Sequence, residues 1–125
     1  MLPIEIDRNY IAEIFRAEAE ENLRAMEEAF VVLESTPGDA ETLKAVFRAA
    51  HTLKGSAAGL GFTSLSRFAH TVEDVLDRLR SGTSVLTTPL ATLLLQTVDS
   101  LRRLVKDSLE GLTRSGPRTW ICWWR

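Results

Sequence analysis

The chain has 125 residues and a formal net charge of −2, and 45% of its residues are hydrophobic while only 7% are aromatic. This length and composition predict one globular domain with an aliphatic core, and the nearly balanced charge argues against a nucleic-acid-binding protein, which needs a basic face. We expect no membrane span because no long apolar run is present, and the single cysteine, Cys122, cannot form an internal disulfide, so a cytoplasmic protein is the simplest expectation.

The first helix is predicted from about Arg8 to Glu34, with Asp7 as its N-cap. Pro37 and Gly38 follow it and interrupt the helical pattern. Glutamates fall mostly on the outer face of this helix, while apolar residues recur at helical spacing. The apolar positions expected to face the core are Tyr10, Ile11, Ile14, Phe15, Leu23, Met26, Phe30 and Leu33.

The second helix is predicted to begin after its N-cap, Asp39, and to end at the glycine pair Gly59 and Gly61. Gly55 lies inside this helix, where glycine costs roughly 1 kcal/mol relative to alanine. A helix built only for stability would not contain it, so we infer that space near this position is kept clear. The predicted buried stripe comprises Leu43, Val46, Phe47, Ala50, Leu53, Ala57 and Leu60.

Two more helices are predicted in the second half of the chain. The third is expected to begin after residue 63 or 64 and to stop at Ser81-Gly82. The fourth is expected to begin with Thr88 as N-cap and Pro89 at the first helical position, and to end at about Gly111. Leucines and valines at helical spacing give each of these helices one apolar face.

Four amphipathic helices with short connections can bury their apolar faces only against one another, so we predict an all-α, antiparallel four-helix bundle over residues 1–112. Residues 113–125 form a tail that contains all three tryptophans of the chain. This tail fits a short extra C-terminal helix packed on the bundle, a contact patch for a partner, or sequence foreign to the domain. The sequence leaves these alternatives open.

His51 is predicted to lie at the margin of the core on the second helix. Its position is about 100° around the helix from the centre of the apolar stripe. Lys54 is one turn further along, whereas Gly55 and Ala58 lie alongside and project almost nothing. The pattern predicts an imidazole at the surface of the bundle, with a cation beside it and a clear approach.

The third helix carries a carboxylate that can reach this imidazole. His70 and Glu73 are three residues apart and share a face. The helical wheel points His70 away from the core of its own helix, so a solvated surface histidine remains an alternative for it. If helices two and three form an antiparallel hairpin about Gly61, then His51 and Glu73 are at similar distances from the turn and meet. A carboxylate that accepts the N–H of one ring nitrogen fixes the tautomer and leaves the other nitrogen as an oriented nucleophile, and Lys54 could offset negative charge arriving there.

Two segments resemble a known family. "HTLKGSAAGLGF", which begins at His51, is similar to the signature of histidine phosphotransfer (HPt) domains, in which the histidine precedes an apolar residue, lysine, glycine and small residues. "FAHTVEDVLDRLRSG", which begins at Phe68, resembles the segment that follows in the P1 domains of CheA-type chemotaxis histidine kinases. The resemblance covers roughly residues 7–110, and the two motifs occur in the expected order and at the expected separation.

The resemblance implies that His51 accepts a phosphoryl group on Nε2, that Glu73 orients the ring through Nδ1–H, and that Lys54 and His70 complete a hydrogen-bonded network. It further implies a phospho-carrier that is not an enzyme by itself and holds no cofactor. A separate kinase domain would bind the ATP, and a CheY- or CheB-like response regulator would supply the acceptor aspartate and Mg²⁺. The sequence contains no glycine-rich nucleotide loop, which agrees with this division.

Contacts with these partners are expected around the histidine. Gly55 is expected to let the surface of a partner close over His51. A partner helix is expected to pack on the apolar margin of the first two helices, at Phe15, Leu53 and Ala58.

Two other classes of function remain open from the residues. One is a metal-binding helical bundle that uses His51, His70 and Glu73, since three protein ligands suffice for a catalytic zinc ion, although Lys54 would repel the ion. The other is a helical adaptor that binds partners and carries no phosphate. Acid-labile, base-stable phosphorylation of His51 would exclude the adaptor, and metal analysis would test the metal site.

Overall fold

Four helices make up most of residues 7–114, which are the part of the chain that the computed structural model describes. In chain order they are α1 (Arg8–Ser35), α2 (Ala40–Gly59), α3 (Thr63–Ser81) and α4 (Thr88–Arg114). Over these residues the all-α prediction is confirmed, and the starts of the first three helices lie within a residue or two of their predicted positions. None of the described helices combines the length and the apolar character that a membrane crossing requires.

The helices form a four-membered bundle in which each packs on its neighbours in sequence and α1 also packs on α4. The connections between helices are short, so successive helices run antiparallel. The contact between α3 and α4 is the least extensive of the four. The extensive α2–α3 contact makes these two helices a closely packed hairpin, which matters for the site described below.

The core is mostly aliphatic, as the composition predicts. Each leucine removed from water here contributes roughly 1.5–3 kcal/mol to folding, and all four helices supply such residues. The largest fully buried side chains are Phe30, Leu23, Met26, Leu33, Leu53, Leu65, Leu76, Leu101, Val46 and Val98.

Two residues predicted for the core of α1 lie outside it. Tyr10 is 63% exposed and Ile14 is 52% exposed. The inward stripe of α1 instead passes through Ala12, Phe15 and Ala19, which recur every three or four residues. Small alanines at two of these positions let a neighbouring helix approach, and they are easily overlooked when only large apolar residues are counted.

A tight turn joins α2 to α3 and sets their relative position. Gly61 has a φ of 78°, in the left-handed region that favours glycine. Its N–H donates to the carbonyl of Ala58 (3.1 Å), and the N–H of Phe62 donates to the carbonyl of Ala57 (2.9 Å), which is the Schellman pattern. Phe62 then packs edge-on against Phe15, with ring centroids 5.2 Å apart. The turn is therefore anchored in the core.

Side chains cap the starts of α1 and α4 in different ways from one another. Asp7 accepts the N–H of Asn9 (2.9 Å), so its predicted role as N-cap is confirmed. Thr87, rather than Thr88, caps α4. Its hydroxyl accepts the N–H of Leu90 (3.3 Å), and its carbonyl accepts the N–H of Ala91 (2.9 Å). Pro89 consequently occupies the second helical position, where a missing N–H is equally harmless.

The end of α4 differs from the predicted end. The helix continues to Arg114, past the position near Gly111 at which it was expected to stop. The predicted domain boundary between residues 112 and 113 thus falls inside α4. The tryptophan-rich part of the tail lies outside the described residues, and so does the proposed extra helix.

Candidate functional site

Glu73 is the buried charged residue of the described part of the chain, with 6% of its surface exposed. It lies on the apolar side of α3, next to the buried Val72. A buried carboxylate is strongly unfavourable unless it is paired and hydrogen-bonded. Its two oxygens must therefore find donors on a neighbouring element.

Both donors come from α2. One oxygen of Glu73, Oε2, is hydrogen-bonded to Nδ1 of His51. The other, Oε1, lies 2.8 Å from Nζ of Lys54. Since His51 and Lys54 are three residues apart, they project from neighbouring positions on one face of α2. The hairpin places this face against Glu73, as the sequence predicts, and no buried side-chain N or O atom of the described residues lacks a hydrogen-bond partner.

The pairing keeps Glu73 ionised. Burial alone would raise the pKa of the Glu73 carboxyl, but the hydrogen bonds from Lys54 and His51, together with electrostatic attraction to both, outweigh it. The pKa of Glu73 therefore lies below its ordinary value. Near neutral pH the group is a carboxylate and acts as an acceptor toward the imidazole.

His51 is open to solvent on its other side. Its side chain is 61% exposed, and among the described residues Nδ1 is the ring nitrogen that makes a hydrogen bond. A carboxylate at Nδ1 requires the proton there, so the neutral ring carries its lone pair on Nε2. This arrangement presents a nucleophilic nitrogen to whatever approaches the bundle surface.

Lys54 joins the hydrogen-bonded network, as the resemblance implies, but it does not lie beside the outer nitrogen of His51. Its ammonium is engaged with Glu73, and its side chain is largely buried. The expectation that it offsets charge arriving at the outer nitrogen of His51 is thus not reflected in this geometry. Its contact instead neutralises the carboxylate that holds the ring.

His70 is not brought into this network. Its Nε2 lies 3.5 Å from Asp74 Oδ2, on the exposed side of α3, and within residues 7–114 it makes no hydrogen bond with His51, Lys54 or Glu73. The prediction from the motif is wrong here: Glu73 is buried against α2, whereas the side chain of His70 is exposed and lies near Asp74 of its own helix.

The proposed metal-binding set fails for the same reason. Glu73 and His51 meet, but His70 does not join them, and no group of three or more His, Cys, Asp or Glu side chains within residues 7–114 could hold a metal ion. The ammonium of Lys54 also occupies the Glu73 oxygen that such an ion would need.

The four predicted partner contacts divide into two pairs. Gly55 and Ala58 are exposed beside His51, and a Cβ added at Gly55 would meet no atom within 4 Å. Phe15 and Leu53 are 3% and 0% exposed, so they cannot touch a partner and the prediction for them is wrong. Both belong to the inward stripes of their helices, and apolar character alone does not distinguish the margin of a stripe from its centre.

Two residues near the imidazole were not predicted as part of the site. The ring of Phe47 lies nearly parallel to that of His51, with centroids 6.3 Å apart and an interplanar angle of 15°. The guanidinium of Arg80 lies 4.4 Å from the centroid of Phe47. The sequence assigned Phe47 to the buried stripe, although its position one turn before His51 was a signal that the two rings could meet.

Comparison with known proteins gives a consistent family. The model of the Hpt domain family matches residues 11–104. The chain is similar to the chemotaxis protein CheA of Bacillus subtilis (35% identity over 106 residues, 85% of this chain and 16% of that protein) and to that of Salmonella typhimurium (42% over 88 residues, 70% and 13%). The chain thus spans less than one fifth of the length of either curated relative.

A solved structure resembles the whole bundle. The CheA phosphotransferase domain from Thermotoga maritima has a TM-score of 0.74 and 34% sequence identity, and the match covers 80% of this chain and 94% of that one. The four-helix bundle predicted from the sequence therefore has a counterpart of nearly the same extent.

Proposed function

The chain belongs to the Hpt domain family, and from this premise we propose that it is a phosphoryl carrier of a chemotaxis signalling pathway. His51 receives the phosphoryl group from ATP bound to a separate kinase domain and passes it to an aspartate of a CheY- or CheB-like response regulator. The observation that carries the proposal is an exposed imidazole whose Nδ1 is held by the buried carboxylate of Glu73.

The arrangement suits the first transfer. The lone pair on Nε2 of His51 attacks the γ-phosphorus of ATP, the bond from that phosphorus to the bridging oxygen breaks, and ADP leaves with the electron pair. The ring keeps its proton on Nδ1 and becomes cationic, so the carboxylate of Glu73 stabilises the positive charge that develops. Because Glu73 is already ionised and in place, little reorganisation is required during the reaction.

The second transfer reverses these changes at the ring. A carboxylate oxygen of the regulator attacks the phosphorus, the bond between phosphorus and Nε2 breaks, and the electron pair returns to Nε2. Phosphoryl transfer depends mainly on positioning and charge neutralisation, and the regulator supplies the Mg²⁺ that neutralises the transferred group. This chain supplies an exposed phosphohistidine on a rigid helix, with Gly55 and Ala58 leaving room for the regulator. Because ATP is the proposed donor, the carrier is proposed to act in the cytoplasm.

Incubation of the full chain with a CheA kinase domain and ATP tests this function. We expect acid-labile, base-stable phosphate on the wild type and none on His51→Gln, whose fold should be intact because this side chain is exposed. Subsequent addition of a panel of response regulators should remove the phosphate. No labelling under conditions that phosphorylate a control Hpt domain would contradict the proposal and favour the adaptor.

A further inference from the structure

We propose that Phe47, supported by Arg80, is a positioning residue that fixes the plane of the His51 ring and so the direction of its Nε2 lone pair. This inference rests on the proposed function, since it concerns how well the imidazole is aimed at phosphorus. The two residues lie on different helices and neither belongs to the Glu73 network.

The hydrogen bond to Glu73 does not by itself define the orientation of the imidazole. The bond from Cβ holds Cγ, and the hydrogen bond restrains the adjacent atom, Nδ1, but coupled rotation of the two side-chain torsions can still tilt the ring and swing Nε2 through an arc. With 61% of the side chain exposed, solvent offers little resistance to that rotation. A second contact on a face of the ring is needed to define its plane.

Phe47 supplies that contact. It precedes His51 by one turn of α2, and its ring lies nearly parallel to the imidazole, at an angle of 15° and a centroid distance of 6.3 Å. Offset parallel packing at such distances is a favoured arrangement of aromatic rings. Tilting of the imidazole about its bond to Glu73 would disrupt this packing, so the stack opposes the rotation that the hydrogen bond allows.

Arg80 holds Phe47 in turn. Its guanidinium carbon lies 4.4 Å from the centroid of the Phe47 ring, which is within the range of a cation–π contact. The guanidinium is itself placed by Asp77, at 2.7 Å. Glu73, Asp77 and Arg80 follow one another at helical spacing along one side of α3. One helix thus holds the imidazole twice, directly at Nδ1 and indirectly through the ring of Phe47.

The consequence for the reaction is geometric. Phosphoryl transfer requires the attacking nitrogen, the phosphorus and the leaving atom to lie nearly in line. Loss of the stack would leave the carboxylate and the lone pair unchanged but would spread Nε2 over a range of directions. The rate of phosphorylation should therefore fall although the chemistry of the ring is unaltered.

Phosphoramidate is the appropriate phosphoryl donor for the test because it needs no partner protein. Nε2 attacks its phosphorus, and the phosphorus–nitrogen bond breaks as ammonia leaves. For the Phe47→Leu variant of the 125-residue chain we expect the rate constant at His51 to fall about tenfold, as small misplacements of reacting atoms can cause larger losses still. Phe47→Tyr should restore most of the rate because it keeps the aromatic face. Phe68→Leu, which shortens a half-buried aromatic on α3, is the control for general loosening of the core.

Nuclear magnetic resonance of the ring protons of His51 provides a second readout that does not depend on reactivity. In Phe47→Leu these signals should move downfield, since the shielding by the stacked ring is lost, and Phe47→Tyr should reverse the shift. Arg80→Gln should shift them in the same direction by less and should lower the rate by less. Arg78→Gln, at another exposed arginine of the last turn of α3, is its matched control.

The outcomes separate the two proposals. If Phe47→Leu is folded and retains both the rate and the ring signals of the wild type, the positioning role is wrong while the phosphoryl carrier stands. If the rate falls equally in Phe68→Leu, the loss is a general one and the positioning role is again wrong. If the wild type takes no phosphoryl group on His51 from phosphoramidate, both proposals fail together.

Discussion

Glu73 is both buried and ionised near neutral pH, and each property depends on the other residues of the site. Its burial shields the carboxylate from most of the solvent, so the carboxylate acts on the ring more strongly than a fully solvated one would. The ammonium of Lys54 permits this by occupying the second oxygen at 2.8 Å. Loss of either Lys54 or His51 would leave one oxygen of the buried Glu73 carboxylate without its partner.

Replacement of Glu73 by alanine should slow phosphorylation of His51 without abolishing it. The ring loses its orienting acceptor and the stabilisation of its positive charge, but Nε2 remains a nucleophile. By analogy with the removal of a preorganised stabilising group elsewhere, we expect a loss of about 10²-fold or more, measured as the rate of ATP-dependent labelling. Complete loss in Glu73→Ala, equal to that in His51→Gln and with helicity intact, would contradict the orienting role.

The lowered pKa of Glu73 also predicts how stability depends on pH. The folded protein binds this proton less readily than the unfolded chain does, so ionisation of Glu73 stabilises the fold above the ordinary carboxyl pKa. That contribution is lost as the pH falls through the lowered pKa of the folded state.

The measurement compares the free energy of unfolding of wild type and Glu73→Gln from about pH 6 to about pH 3. The advantage of the wild type should shrink toward the acid end of this range. Glu28→Gln, which removes an exposed carboxylate from α1, is the control. An advantage that grows on acidification would mean that burial, rather than the pairing with Lys54 and His51, dominates the pKa of Glu73.

At the scale of single residues, the motif and the helical wheel predict which side chains of the site lie close together. His51, Lys54 and Glu73 are brought together as expected, because the spacing on α2 and the hairpin geometry both follow from the chain. The burial of Phe15 could not be predicted in the same way, and for His70 the helical wheel, which points outward, conflicted with the role implied by the resemblance. Whether a side chain lies just inside or just outside the margin of a helix depends on how far each helix is rotated in the bundle, which is a property of the whole packing.

At the scale of elements, the α2–α3 hairpin decides whether the site forms. Gly61 has a positive φ and ends α2 in the Schellman turn, whereas Gly55 lies in the interior of α2 with open space around it. Gly61 is required by its backbone conformation, whereas Gly55 is not. Substitution by alanine should therefore change the free energy of unfolding in opposite directions at the two positions.

Gly61→Ala should destabilise the protein by roughly 1–2 kcal/mol, because an L-residue is strained in the left-handed conformation. Gly55→Ala should stabilise it by up to about 1 kcal/mol, since alanine is the better helix former. Chemical denaturation of both variants measures the two changes. Stabilisation by Gly61→Ala, or a large destabilisation by Gly55→Ala, would contradict the conformations assigned to these residues.

The helix ends show which boundaries can be predicted from a few neighbouring residues and which cannot. Asp7 and the Gly61 turn are recognisable from sequence because one residue type satisfies a specific backbone need. The start of α4 was displaced by one residue because two threonines in succession can each cap a helix, and the hydroxyl of Thr87 is the one that reaches the N–H of Leu90. Gly111 resembles a helix stop near the end of α4, but the helix continues through it to Arg114, so its length was underestimated.

At the scale of the whole molecule, the bundle follows from the number of amphipathic helices and the shortness of their connections. The sequence therefore sufficed for the fold class, and the match to the phosphotransferase domain of Thermotoga maritima agrees with it. What the sequence did not provide is the cross-helix arrangement around the imidazole, in which Arg80 reaches Phe47 from α3. Such contacts join residues far apart in the chain and have no local pattern.

The packing of the bundle holds α2 and α3 together and thereby orients Nε2 of His51. The most direct test is phosphorus–nitrogen coupling measured by nuclear magnetic resonance on the phosphorylated chain, with histidine labelled with ¹⁵N. The phosphorus should couple to Nε2 of His51 while Nδ1 of the same ring keeps its proton. Coupling to Nδ1 of His51, or to either nitrogen of His70, would contradict the arrangement proposed for the site.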